Sequence, residues 1–475
     1  MPARLYKDYI KVDPNFIPVF SRNSDKVYPD KWQSFYPHEN FKNILTSVVE
    51  TLEKGSATKD NSLWMSGTYG TGKTYASFTV KHILEDPIET VQTYCEANNM
   101  QNLFARIKGI RSKGEILVVH RSASANINSQ NKLFNAIVES VKETLQIKGF
   151  KNFGNESLME KVLSTLKNPN SAFNFSGAFN KYKARFTDYS SPQSVIRDLE
   201  ELELEERLEL LDIIISVAED ESYTWSLSPD EVINWLEDVR IKNNIYAIVF
   251  IWDEFTEYFK NNQNNITGLQ EIAMASSRIS FYFFLITHSD SNQLIADSKQ
   301  RKIIEGRFKQ DQIKLGENAA FKLMGQALRH EPDLSDEWKR TSDDLWNGVM
   351  RGTVKHIKDK DVSINTEDFV KLLPMHPYAV YLLKFIAQDI GSDQRTMFQF
   401  LSGDIERTNF TWFINNFSFE YGKYNYLTVD YLWDYFLQDN NVDLDSSFAN
   451  AMSHYNNFEG MCQTESQKRI LKVTL

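Results

Sequence analysis

Two hydrophobic periods run along this chain. Short unbroken apolar runs fall at Leu63-Trp64-Met65, Glu115-Ile116-Leu117-Val118-Val119-His120, residues 246–252 and residues 279–286. Runs of this kind suit strands covered on both faces, as in a parallel sheet. Between them the apolar residues recur at helical spacing. Residues 41–54 and 75–84 read as helices, residues 88–113 as a helix with breaks, and residues 130–147 as a further helix. Over residues 198–218, Leu199, Leu202, Leu208, Leu211 and Ile215 recur against glutamates, which predicts a surface helix with one wet face. Ser228-Pro229-Asp230-Glu231 marks a helix start, with Ser228 as N-cap, Pro229 in the first turn and Glu231 closing a capping box. The alternation predicts an α/β fold with a parallel sheet core.

The flanks have a different texture. Residues 1–40 carry Tyr6, Tyr9, Phe16, Phe20, Tyr28, Trp32, Phe35 and Tyr36 with little helical periodicity. They predict an ordered aromatic arm lying against the core. The core is expected over 41–315, with a helical insertion at about 125–228, because residues 149–192 are polar and the strands resume only near 246. Residues 316–410 predict a helical lid, kinked at Leu373-Pro374-Met375-His376-Pro377. Residues 411–475 predict a small winged-helix-like module. The closing segment, 466–475, reads as a helix without a cap, so a truncated form is expected.

Composition narrows the picture. The chain has 475 residues, 41% hydrophobic, with a formal net charge of −11. No global basic field exists, so a nucleic acid would have to be met by a local groove. The basic clusters are Arg106, Lys108, Arg111 and Lys113, and the segment from Lys299 to Lys309. Two distant cysteines, Cys95 and Cys462, argue against a disulfide framework. No apolar stretch is long enough to span a bilayer, and a cytoplasmic protein without membrane partners is expected.

The candidate chemistry begins at Gly67-Thr68-Tyr69-Gly70-Thr71-Gly72-Lys73-Thr74, between a predicted strand and a helix opening at Tyr75. This fits the phosphate-loop pattern G-x-x-x-x-G-K-[ST] in the context it requires. Glycines let backbone N–H groups converge, and the helix N-terminus adds its positive dipole end. Lys73 is expected to reach the β- and γ-phosphates of ATP, and Thr74 to offer its hydroxyl to Mg²⁺. The apolar run 246–252 ends in Asp253-Glu254, a Walker B arrangement at the ligand edge of an open sheet. Asp253 is expected to hold Mg²⁺ and Glu254 to orient the attacking water. Thr287, closing the run 279–286, is the candidate sensor, with His288 able to share the role. Arg307, after Gly306, is the candidate arginine finger for its own or a neighbouring site. Arg395, opening a helix of the predicted lid, is the candidate second sensor.

Taken in order, the aromatic arm, the phosphate loop, Ile251-Trp252-Asp253-Glu254-Phe255, Ile286-Thr287-His288, Gly306-Arg307-Phe308, Met375-His376-Pro377 and Gln394-Arg395-Thr396-Met397-Phe398 resemble the large AAA+-like P-loop ATPases of bacterial phage-defence systems, related to the ORC and STAND classes. The nearest type is the BREX ATPase family, whose members are often more than twice as long. The resemblance implies ATP hydrolysis with Mg²⁺, a homo-oligomer, partner effector proteins and DNA as a candidate partner. The alternative is a nucleotide-dependent switch or assembly scaffold with slow turnover.

Overall fold

The computed structural model describes residues 4–13, 20–55, 62–67, 71–151, 158–223, 225, 228–262, 266–313, 319–360, 364–389, 393–402, 408–420, 424–436 and 446–475. Among them seven strands form: β1 (Ile10–Val12), β2 (Ser62–Ser66), β3 (Glu115–Ser122), β4 (Ile245–Asp253), β5 (Phe281–Thr287), β6 (Phe308–Gln312) and β7 (Leu328–His330). Strands β2 to β6 make one sheet in the order β3-β4-β5-β2-β6. Every neighbouring pair in it is parallel. β1 and β7 pair antiparallel as a separate ribbon.

The unbroken apolar runs become this sheet because helices cover both faces. Alternate residues go to alternate sides. Met65, Val118, Val249, Ile251 and Phe284 join one cluster with the helices Glu39–Lys54, Lys73–Glu85, Ile88–Ala97 and Gln101–Arg111. Trp64, Val119, Phe250, Trp252 and Phe283 join the other. That second face is roofed by the chain between β3 and β4. It forms the helices Gln130–Ile147, Leu158–Lys167, Phe175–Lys181, Pro192–Glu201, Leu204–Asp220 and Pro229–Lys242. The expected insertion is therefore a helical layer that buries Phe134, Ile137, Phe179, Leu199 and Trp235 against the sheet. The capping box at Ser228 and Glu231 is present, each bonding the other's backbone N–H, at 3.2 and 2.8 Å.

A further apolar cluster holds Phe321, Leu345, Phe369, Leu372, Val380, Phe400, Phe413, Leu432 and Tyr455. It runs through the regions expected to be a lid and a winged-helix-like module. Among the described residues of 411–475 no strand forms. The extended contacts there are single bridges, Leu5 with Ser418 and Leu427 with Met375. The wing has no counterpart among these residues. Leu432 and Trp433 of the helix Val429–Phe436 instead pack into the same core as the preceding helices.

The arm differs from expectation in a similar way. Tyr6, Tyr9 and Ile10 belong to this helical body, not to the sheet core. The Tyr6 hydroxyl donates to the Asn425 carbonyl at 2.8 Å, and β1 pairs with β7. Only the later part of the arm lies against the sheet domain, where Trp32 and Phe35 pack with the helix Lys73–Glu85. No helix among the described residues is long and apolar enough to cross a membrane.

Candidate active site

The site is built at the C-terminal edge of the sheet. β2 ends at Ser66, whose carbonyl accepts the Ile313 N–H at 2.8 Å. The Gly67 N–H then donates to the Thr287 carbonyl at 3.2 Å. A Cβ at Gly67 would stand 2.5 Å from the Ile313 carbonyl oxygen, so the loop can leave the strand here only as glycine. Thr68, Tyr69 and Gly70 lie outside the described residues. Thr71 is buried, and Gly72, at φ +78°, takes the left-handed turn that opens the helix Lys73–Glu85. Its carbonyl accepts the Ala76 N–H at 2.8 Å.

Lys73 is the first residue of that helix and is 5% exposed. Burial draws its amine down to about 8, against the pull of Asp253 and Glu254. The Thr74 side chain acts to lower the pKa of Asp253. β4 is not adjacent to β2, because β5 lies between them. The helix start therefore reaches across the tip of β5 to meet the acidic strand.

Asp253 closes β4 and is 1% exposed. Its Oδ1 accepts the Glu254 N–H at 2.8 Å. Its Oδ2 is buried without a hydrogen-bond partner. Burial raises the carboxyl's pKa against the opposing influence of Thr74, the Glu254 N–H and the Lys73 charge. An orphaned carboxylate oxygen beside a hydroxyl suits a hard cation. No group of three or more His, Cys, Asp or Glu among the described residues could hold a metal. A Mg²⁺ here would take Thr74 and Asp253 as its protein ligands and fill the remaining positions with phosphate oxygens and water, as that ion commonly does.

Glu254 has φ +56°, a left-handed conformation that is uncommon for a residue with a Cβ. The neighbouring chain fixes it. The Ala123 N–H donates to the Asp253 carbonyl at 3.1 Å, and the Phe255 N–H donates to the Ile286 carbonyl at 2.9 Å. The Ser124 hydroxyl donates to the Glu254 carbonyl at 3.0 Å. The carboxylate itself is exposed at the sheet edge, with its pKa raised by burial and by Asp253 against Lys73.

No protein-family model matches this chain, and no curated protein does. The assignment of its residues therefore rests on the geometry.

The other candidates divide. Thr287 reaches the right edge, but its hydroxyl accepts the Trp64 Nε1–H at 2.8 Å and donates to the Ser289 carbonyl at 2.6 Å. It is fully buried and braces the tip of β5. His288 is half-buried, with its pKa drawn down to about 4 by burial and by the Lys73 charge, so its ring stands within the field of that lysine. Arg307 is not brought to the site. It precedes Phe308, which pairs with Ser62 at the opposite edge of the sheet. A five-residue strand separates it from the phosphate loop, roughly 16 Å at ordinary strand rise. It cannot act as a finger on its own site. Arg395 lies in the helix Asp393–Ser402, but its side chain is outside the described residues. Tyr75 is engaged with the arm. Its hydroxyl donates to the Lys31 carbonyl at 2.6 Å and its ring stacks on Phe20 at 4.3 Å.

Two features escaped the sequence reading. One is the Ser122-Ala123-Ser124 tip of β3, whose signal is the run of small residues, two of them serines, ending an apolar strand at the ligand edge. The other is His82, held between Asp25 at 2.6 Å and Asp86 at 2.8 Å on the outer side of the helix Lys73–Glu85. Its partner Asp25 is distant in sequence, so nothing local announces the contact.

Proposed function

We propose that this protein is an ATP-binding and ATP-hydrolysing P-loop ATPase with an AAA+-like core. The observation that carries the reading is the buried Lys73 at the helix N-terminus that follows β2, with the buried Asp253 and its unpartnered oxygen closing β4 on the same edge of the parallel sheet. The helix dipole, the lysine and the loop amides favour a polyphosphate. The orphaned oxygen of Asp253 favours its magnesium ion. Glu254, at the exposed rim of the same edge, is placed to orient a water toward the terminal phosphate. The strand order supports the reading too, because a sensor strand between loop strand and acidic strand puts its tip beside the phosphates. His288 takes that role in place of Thr287. The helical body after residue 319 is read as the lid.

The cellular role follows the resemblance given above: an oligomeric ATPase of an anti-phage system, working with effector proteins on or near DNA. The basic clusters lend DNA contact little support. Arg106 forms a forked pair with Glu53, at 3.0 and 2.6 Å. Arg111 donates to the last carbonyls of the helix Lys73–Glu85, and Lys309 pairs with Glu50.

The test is titration with a fluorescent ATP analogue in the presence of Mg²⁺. Lys73→Ala should weaken binding by on the order of 10- to 100-fold, the worth of a lost charge-assisted hydrogen bond. Unchanged affinity would refute the site.

A further inference from the structure

The geometry points to Ser124 as a positioning residue that holds Glu254 in its left-handed conformation and thereby aims the catalytic carboxylate; this rests on the ATPase reading above. A non-glycine residue at positive φ is strained and persists only where its surroundings over-determine it. Five contacts do so here. Three are backbone-to-backbone or involve the Trp252 indole: Ala123 N–H to Asp253, Phe255 N–H to Ile286, and Trp252 Nε1–H to the Ala123 carbonyl at 2.8 Å. The fourth is the Glu254 N–H to Asp253 Oδ1 at 2.8 Å, a bond within the dipeptide itself. The fifth is a side-chain hydroxyl from another strand. Ser124 is 2% exposed, and its Oγ donates to the Glu254 carbonyl while accepting the Tyr258 N–H, both at 3.0 Å. One atom thus ties the tip of β3 to both sides of the turn that Glu254 begins.

The bond acts on the backbone of Glu254 and uses the only proton of the Ser124 hydroxyl, on a side chain closed off from solvent. Its removal frees the Glu254 peptide to rotate toward an ordinary conformation, which swings the carboxylate off its line. The Ala123 residue before it is also left-handed, at φ +66°, so both chains turn out of the sheet through the same uncommon conformation.

The experiment combines structure and rate. In a crystal structure of Ser124→Ala, Glu254 should leave the positive-φ region. Turnover should fall about 10- to 100-fold, the scale of a misplaced catalytic group, with KM and the affinity for the fluorescent ATP analogue unchanged. The same substitution in a Glu254→Gln background should cost nothing more, because it acts through the carboxylate already removed. If φ at Glu254 stays positive in Ser124→Ala, or if the two substitutions slow turnover additively, the inference is overturned. A wild-type chain without turnover would refute the ATPase reading, while the φ measurement would still decide whether Ser124 holds the turn.

Discussion

Glu254 concentrates the residue-scale argument. Its conformation is strained, its carboxylate lies at the exposed edge of the sheet, and its own N–H is bonded to Asp253. Replacement by glutamine keeps the shape and the backbone constraints and removes the charge that polarises a water. Glu254→Gln should therefore bind the nucleotide as tightly as the wild type and hydrolyse it on the order of 100-fold more slowly. Steady-state phosphate release measured beside an equilibrium titration checks both halves, and an unchanged rate would remove Glu254 from the mechanism. The position of Asp253 and Glu254 at a strand's end is legible in the sequence, because an unbroken apolar run followed by acids reads as a covered strand leaving its sheet. The hydroxyl of Thr287 was misread for a physical reason. A threonine at a strand tip looks available from sequence, and only the indole of Trp64, on the paired strand but 223 positions away along the chain, shows that it is occupied.

At the scale of elements, the helix Lys73–Glu85 is gripped from outside as well as from the site. His82 places one ring nitrogen on Asp25 and the other on Asp86, and stacks on Trp32 with an interplanar angle of 2°. Asp25 also accepts from Lys81, and Asp86 accepts from the Trp32 indole. An imidazole between two carboxylates donates from both nitrogens and so carries a proton. Burial lowers its pKa, but the two carboxylates outweigh burial and the net shift is upward from 6.5. The stabilisation is fully present below 6.5 and is lost as pH rises through the raised folded value. Thermal unfolding should thus show a fall in melting temperature above pH 6.5 that His82→Gln lacks, and parallel profiles for the two proteins would dismiss the clasp. The strands, the long helices and the Ser228 capping box could all be read from periodicity. The arm could not. Its aromatic residues have no period, and which body each joins is decided by partners such as Asn425 and Asp86, hundreds or tens of residues away.

For the whole molecule, a three-layer sheet domain and a helical body are joined by an arm that contributes to both cores. With Arg307 at the far edge of the sheet, an arginine completing the site would come from the lid or from a neighbouring copy. Light scattering after size separation should show a larger species with ATP and Mg²⁺ than with ADP or with no nucleotide. A constant size, with ADP retained through purification, would favour the switch, and repeating the series with duplex DNA would show whether nucleic acid drives assembly. The sheet order has one more consequence. β2, which carries the phosphate loop, pairs only with β5 and β6, whose first residue Phe281 lies about 215 positions beyond Ser66. At 5–20 residues per second a ribosome needs on the order of 10–40 s to reach it. Through that interval the nascent chain holds an apolar ribbon with both edges bare, which makes this segment the natural client of a chaperone during synthesis.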